Sequence, residues 1–130
     1  KALFFSFFYE MLMGNYITPA DKEENKSLAS IKKILDYINL NYSQSLTAAE
    51  LTALSNYSEY YFMKLFKQYT GKTLIAYIND LRIEKAKQLL GQGVTVKDTL
   101  PQVGYSSALT MNRAFRRFEN TTPGAFYREK

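Results

Sequence analysis

The sequence contains no cysteine and no histidine among its 130 residues. Their absence excludes disulfides, zinc sites built from Cys and His, and enzymes that use a thiol nucleophile or an imidazole base. The 12 acidic residues are scattered among lysines, and no two have surroundings that would make one a proton donor and the other an acceptor. We therefore expect no enzyme, no cofactor and no metal site.

A long apolar run is also missing. The most apolar stretch, Leu3 to Ile17, has about 15 residues and includes Glu10 and Asn15, whereas a bilayer-spanning helix needs about 20. There is no signal-peptide cleavage pattern either, so we expect a cytoplasmic protein with no membrane partner. Because the chain starts at Lys1 rather than Met, we expect it to be a fragment of a longer protein.

The composition indicates a folded, basic protein. With 46% hydrophobic residues, the chain can bury a core of one domain with a modest appendage. The net charge of +5 favours nucleic acid or another anionic surface as the partner. From residue 27 onward there are 14 basic and 8 acidic residues, against 3 and 4 before it, so the basic character belongs to the second part.

The first 26 residues are predicted to lie outside that basic domain. Residues 2–17 are apolar nearly all round, so a helix here must be covered, and residues 18–26 form a polar linker. We interpret 1–26 as a remnant helix of an upstream sensor or dimerisation domain plus this linker. The alternatives are an oligomerisation helix and a membrane-surface anchor, although the helix lacks the basic polar face of an anchor.

The first half of the basic domain has a helix-turn-helix pattern. A core-packing helix comes first, with Ile31, Ile34, Leu35 and Ile38 at helical spacing. Thr47 and Glu50 form a capping box that starts a short helix over 48–55. After a break at 56–58, Ser58 is placed to cap a second helix, which ends at Gly71 in the position of a left-handed C-cap. A short helix, a tight break and a second helix are typical of this motif.

The same helix-turn-helix pattern recurs 49 positions later. Between the two copies, residues 74–90 are predicted to form a helix with a length of roughly 25 Å. The matching pairs are Leu51 and Leu100, Leu54 and Val103, Ser58 and Ser107, Phe62 and Met111, Leu65 and Ala114, Phe66 and Phe115, and Lys67 and Arg116. Asn120 replaces Gly71, and asparagine tolerates the left-handed conformation. A last short helix should start at Pro123.

One residue disturbs the repeat. Pro101 lies in the region of the second short helix. Proline costs about 3 kcal/mol in a helix interior but is tolerated in the first turn. We therefore predict a shortened helix, with Asp98 or Thr99 as its N-cap and Pro101 in its first turn. A regular helix running through Pro101 from Val96 would contradict this prediction.

Residues from about 27 to 130 resemble the DNA-binding domain of the AraC/XylS family of bacterial transcription regulators. The resemblance is carried by the runs at 58–67 with Gly71, 77–90, 103–107 and 115–128. It implies an all-α fold, with two helix-turn-helix subdomains joined by a long linker helix. That makes seven helices, preceded here by the extra N-terminal apolar helix. It further implies that the second helix of each subdomain enters successive major-groove segments on one face of the DNA.

The resemblance also implies roles for individual residues. The base-facing positions are Tyr60, Met63 and Lys64 in the first recognition helix and Ala108, Leu109, Asn112 and Arg113 in the second. Arg113 can make bidentate hydrogen bonds to guanine, and Asn112 can read adenine or hold a phosphate. The apolar Met63, Ala108 and Leu109 would touch thymine methyls or exclude water. Phosphate contact is expected from Lys67, Arg116, Arg117 and Arg128. Arg82 is expected to bridge elements of the fold instead.

The resemblance implies double-stranded DNA and RNA polymerase as partners of a sequence-specific transcription activator. A small-molecule effector and a homodimer contact would both belong to the missing upstream region. The competing interpretation is a basic helical module that binds an acidic protein or RNA without sequence-specific DNA readout. A third interpretation, a membrane-surface binder, depends on the Phe-rich start of the chain.

Overall fold

In a computed structural model, residues 22–128 are described, and within them the chain forms seven α-helices and no strand. We label them in chain order: α1 (Lys22–Asn41), α2 (Ala48–Ala53), α3 (Glu59–Thr70), α4 (Leu74–Gly91), α5 (Val96–Gln102), α6 (Ala108–Glu119) and α7 (Pro123–Arg128). The predicted all-α class with seven helices is confirmed. The predicted apolar helix at 2–17 lies outside the described residues.

The described chain divides into two compact units. The first consists of residues 22–40 and 46–76, and the second of residues 41–45 and 77–128. Helix α4 begins in the first unit and continues in the second. Each unit contains one complete predicted helix-turn-helix, α2 with α3 and α5 with α6.

The first unit is organised around apolar stripes at helical spacing. Ile31, Ile34, Leu35 and Ile38 on α1 are all nearly inaccessible to solvent, as predicted from their spacing. On α3 the buried side chains are Phe62, Leu65, Phe66 and Thr70, and α2 contacts α3. Helix α1 begins at Lys22, before the predicted domain start at residue 27. The Lys-Glu-Glu segment there favours helix, because these residues lose little side-chain freedom in it. The domain boundary itself stays a prediction.

The caps of the first unit follow the sequence closely. The Thr47 hydroxyl accepts a 3.1 Å hydrogen bond from the Glu50 amide at the start of α2, as the capping box predicts. Helix α2 ends at Ala53, two residues before the predicted end. The Ser55 hydroxyl donates a 2.6 Å bond to the Thr52 carbonyl there, which supplies a partner to a carbonyl of the last turn.

The second unit has a core of its own. Its buried members are Ile83, Ala86, Leu90, Val103, Tyr105, Met111, Ala114 and Phe115, from α4, α6 and the segment between α5 and α6. Phe126 of α7 packs on Phe115, with ring centroids 5.5 Å apart in an edge-to-face arrangement. Helices α5, α6 and α7 contact one another, so α6 is held on its inner side by both neighbours.

The prediction for Pro101 is wrong. Helix α5 runs from Val96 to Gln102 with Pro101 inside it, and its N-cap is Thr95, whose hydroxyl accepts from the Asp98 amide at 3.1 Å. Thr95 precedes Asp98 by three residues, which is the spacing of a capping box. The 49-residue repeat places the equivalent of Thr47 at position 96, so the actual cap lies one position earlier than the repeat implies. Pro101 is exposed and is followed in the helix only by Gln102, and its ring removes the amide that would bond the Lys97 carbonyl. Among the described residues, no helix is both long enough and apolar enough to cross a membrane.

Candidate nucleic-acid interface

Helix α3 presents an exposed face opposite its buried stripe. Ser58 caps the helix by accepting a 3.3 Å bond from the Tyr61 amide. Gly71, with φ at 77°, ends the helix in the predicted left-handed conformation. On the outer face Tyr60 is 81% exposed, Lys64 and Lys67 are exposed, and Met63 is half-buried. The four residues follow i, i+3, i+4 and i+7 spacing, so they share one side of the helix.

These four residues line an open cavity of about 570 Å³ in the first unit. Leu74, at the start of α4 and only 2% exposed, contributes apolar surface to it. Gln68 and Thr73 complete the lining. The sequence analysis did not identify these last three residues. Gln68 lies on α3 outside the i, i+3, i+4, i+7 set, and periodicity within α3 does not reveal that Thr73 and Leu74 line the same cavity.

Helix α6 presents the equivalent face in the second unit. Its N-cap is Ser107, as predicted, whose hydroxyl accepts from the Thr110 amide at 3.2 Å and lies 2.9 Å from the Thr110 hydroxyl. Asn120, with φ at 57°, ends the helix in the left-handed conformation. The buried side chains of α6 are Met111, Ala114 and Phe115.

All the residues of α6 predicted to meet DNA are exposed. The base-facing candidates among them are Ala108, Leu109, Asn112 and Arg113, and the phosphate candidates are Arg116 and Arg117. Leu109 is an unusually exposed leucine at 60%. Arg128 is the last residue of α7, and its side chain lies outside the described part of the structure.

An acidic residue at the end of α6 is paired within the unit. The Glu119 carboxylate lies 3.0 Å from the Lys87 ammonium on α4. Burial lowers the pKa of Lys87, but its hydrogen bond to Glu119 and the charges of Glu84 and Glu119 outweigh it, so the pKa is raised. The Lys87 ammonium is therefore retained at neutral pH and lies beside the one carboxylate of α6.

Arg82 of α4 anchors the segment 41–45 within the second unit. The Arg82 Nε donates a 2.8 Å hydrogen bond to the Tyr42 carbonyl, and its Nη2 donates another of 2.8 Å to the Gln44 carbonyl. The expectation that Arg82 bridges elements of the fold agrees with these contacts. A guanidinium is suited to this role because its donors form a planar fork that reaches two carbonyls at once.

Gly104 lets the backbone of the turn that leads into α6 approach Tyr42 and Arg82 closely. Its φ is 98°, and a Cβ at this position would lie 2.6 Å from the Tyr42 carbonyl oxygen and 2.9 Å from the Arg82 Nε. The next residue, Tyr105, is 4% exposed and donates a 2.8 Å bond from its hydroxyl to the Asn79 Oδ1. Ser107, the N-cap of α6, follows two residues later, so the start of α6 depends on this contact.

Comparison with known proteins supports the same interpretation. Residues 51–129 match the family model described as a helix-turn-helix domain, which is more than half of the chain. The chain is 30% identical over 129 residues to the raffinose operon transcriptional regulatory protein RafR of Pediococcus pentosaceus. That match covers 98% of this chain but 46% of the relative, so the chain spans less than half the length of RafR.

Solved structures show the same fold. The C-terminal domain of the response regulator AraT from Geobacillus stearothermophilus is 25% identical, with a TM-score of 0.72 over 78% of this chain and 85% of that one. The DNA-binding domain of the global transcriptional factor AdpA, solved in complex with a target DNA, is 19% identical, with a TM-score of 0.73 over 77% of this chain and 91% of that one. The family and its relatives are transcription regulators and not enzymes. With its two N-capped, outward-facing helices and this match over residues 51–129, the chain belongs to the AraC-type helix-turn-helix family of DNA-binding transcription regulators.

Proposed function

We propose that this chain binds double-stranded DNA sequence-specifically, with α3 and α6 inserted into successive major-groove segments of a bacterial promoter. One observation carries the proposal. Each compact unit holds a 12-residue helix, N-capped by serine, that buries one face and exposes the other with its basic residues. An α-helix of this kind fits the major groove, and a second helix of the same design allows one chain to read two half-sites.

The exposed residues divide into readers and positioners. Tyr60, Met63 and Lys64 on α3 and Ala108, Leu109, Asn112 and Arg113 on α6 are proposed to face the base edges. Arg113 has the clearest chemistry, because an exposed guanidinium can make two hydrogen bonds to the O6 and N7 of guanine. Lys67, Arg116, Arg117 and Arg128 are proposed to contact phosphates, which positions the helices without reading sequence.

The test is fluorescence anisotropy on the 130-residue chain, with a duplex enriched by in vitro selection and scrambled duplexes of equal composition. We expect log affinity to fall linearly with log salt concentration. At physiological salt the selected duplex should bind at least about 1,000-fold more tightly than the scrambled ones. Equal affinity for every duplex would overturn sequence-specific readout, and tighter binding to an RNA hairpin would favour the RNA-binding alternative.

The remaining partners belong to the proposal for the whole protein. Because the chain spans 46% of RafR, an effector-binding domain and a homodimer contact would lie outside these 130 residues. RNA polymerase would be met at the promoter. RafR is named for a raffinose operon, which supports a sugar or another small metabolite as the effector here. A cytoplasmic location follows from the proposed role. Transcription from a selected promoter by the full-length protein, with and without candidate sugars, tests these points.

A further inference from the structure

We infer that the first unit recognises thymine methyl groups, which enter the cavity beside α3, so that its half-site is read mainly by apolar contact. The inference rests on the proposed function and specifies which group on the bases α3 would contact. It decides the role of Met63, for which the sequence leaves open either methyl contact or water exclusion.

The chemistry of the cavity is the first reason. Met63 is half-buried and Tyr60 is 81% exposed, so both present apolar surface to one open space of about 570 Å³, which the almost fully buried Leu74 also lines. The thioether of methionine adapts its shape to small apolar groups. On the major-groove edges of the four bases, the thymine C5-methyl is the only methyl group.

The charge around the cavity identifies a polyanion as the occupant. Lys64 and Lys67 both line the space and both are exposed. Both ammonium groups suit a DNA strand, because Lys64, proposed to face the base edges, can bond guanine acceptors and Lys67 can contact the neighbouring phosphate. A neutral apolar ligand or an apolar protein segment would leave both cations without a complementary charge.

The second unit differs in the groups that it exposes. Helix α6 carries Asn112 and Arg113 on its outer face, and both side chains make bidentate hydrogen bonds to purines. Helix α3 has no arginine or asparagine, although its Lys64 and Gln68 can also hydrogen-bond bases. What distinguishes α3 is the apolar surface of Tyr60 and Met63 beside its cavity, so methyl contact is assigned to the half-site of α3, and readout by Asn112 and Arg113 to that of α6.

A thymine-to-uracil scan tests the inference, since uracil lacks only the C5-methyl. Each thymine of the selected duplex is replaced singly, and the affinity of the 130-residue chain is measured by anisotropy. Loss of one buried methyl should weaken binding about threefold to fivefold at one or more positions. In Met63→Ala, the same replacements should change affinity less than about 1.5-fold, because the partner of the methyl is gone.

Leu109→Ala is the matched control. It also removes an exposed apolar side chain from a recognition helix, but from α6, so the positions that lose their methyl effect in Met63→Ala should keep it here. Tyr60→Ala is a second variant in case Met63→Ala disturbs folding, because Tyr60 is largely exposed, and it should reduce the same methyl effect.

Two results would overturn the inference and leave the proposed function standing. In the first, all uracil duplexes bind the wild-type chain as tightly as the parent while scrambled duplexes are still rejected. In the second, the methyl effect stays unchanged in both Met63→Ala and Tyr60→Ala. Loss of all preference between selected and scrambled duplexes would overturn the proposed function together with the inference.

Discussion

The guanidinium of Arg82 lies over the ring of Tyr105, with its central carbon 5.5 Å from the ring centroid. Arg82 is in α4, and Tyr105 is in the turn that leads into α6. Since the same guanidinium also bonds the carbonyls of Tyr42 and Gln44, one side chain joins three segments of the second unit. The turn before α6 is therefore tied to α4 and, through Arg82, to the segment 41–45, both of which lie outside the α5–α6 pair.

Replacing Arg82 by alanine should destabilise the second unit by about 2–3 kcal/mol, because two hydrogen bonds from a charged donor are lost and two carbonyls lose their partners. Arg82→Lys is the matched control, which keeps the charge but cannot bond both carbonyls with a planar fork. We expect it to recover less than half of the loss. Urea denaturation followed by circular dichroism measures both, and a cost below about 0.5 kcal/mol for Arg82→Ala would contradict the assigned role.

The glycines of the second unit offer a graded test of backbone constraint. Gly104→Ala should cost more than about 3 kcal/mol, because the new Cβ adds a clash with the Tyr42 carbonyl to the left-handed strain. Gly93→Ala should cost only about 1–2 kcal/mol, since its φ is 91° but no atom lies within 4 Å of the new Cβ. Gly91→Ala, with neither constraint, should be neutral or stabilising by up to about 1 kcal/mol. Thermal melting of the three variants should reproduce this order, and equal costs for Gly104 and Gly93 would contradict the close approach.

Tyr105 should make stability fall in strong base. Burial raises the pKa of Tyr105 to about 12, although the nearby positive charge of Arg82 acts against the shift. The raised pKa means that the folded chain keeps the phenol protonated while the unfolded chain ionises near pH 10. Its contribution is therefore fully present below about pH 10 and is lost as the pH rises towards 12, by on the order of 1–3 kcal/mol.

Denaturant unfolding at several pH values between 9 and about 12, for wild type and Tyr105→Phe, measures this contribution. The phenylalanine variant lacks the ionisable group, so its stability should fall less steeply over the window. Tyr60→Phe, which changes an 81% exposed tyrosine, is the matched control and should behave as wild type. Parallel curves for wild type and Tyr105→Phe would contradict the assignment.

Pro101→Ala should stabilise the protein by roughly 1–2 kcal/mol. The substitution restores an amide that can donate to the Lys97 carbonyl within α5 and removes the crowding of the ring against the preceding turn. Part of this gain is offset, because proline restricts the unfolded chain and its removal increases the conformational entropy of the unfolded state. Gln102→Ala is a control in the same turn, which removes the 3.0 Å bond to the Asp98 carbonyl and should cost less than about 1 kcal/mol. A destabilised Pro101→Ala variant would show that proline fits this turn without strain.

Arg113 and Arg117 should behave differently towards DNA, although both are exposed arginines of α6. Arg113→Ala should relax discrimination at one base pair by about 1–3 kcal/mol, whereas Arg117→Ala should weaken all duplexes alike and reduce the salt slope by about one. Lys33→Ala, an exposed cation on α1 outside both helix-turn-helix pairs, should leave binding unchanged. Anisotropy against a panel of single-base variants separates these effects. If the two arginine variants behave identically, the division into readers and positioners is wrong.

The sequence by itself determined the helices, most of their caps and the faces they bury. Ser58, Gly71, Ser107 and Asn120 were all identifiable because capping and the left-handed turn involve residues within one helical turn of each other. The repeat with a 49-residue offset was readable for the same reason, since the buried stripe of each recognition helix follows the local period of 3.6 residues.

The tertiary structure alone decided where separate segments meet. Arg82 donates a hydrogen bond to the carbonyl of Tyr42, 40 positions earlier in the chain, and no local sequence pattern predicts that partner. The need for glycine at 104 follows from the Tyr42 carbonyl pressed against it, and the apolar cavity of α3 exists because Leu74 lies beside Met63. Pro101 shows the limit most clearly. The sequence predicts an N-cap at Asp98 or Thr99 so that proline falls in the first turn, whereas the folded helix begins at Val96 and contains Pro101 near its end. Local spacing predicts that a helix forms here, but the packing of α5 against α6 and α7 overrides the local cost of proline.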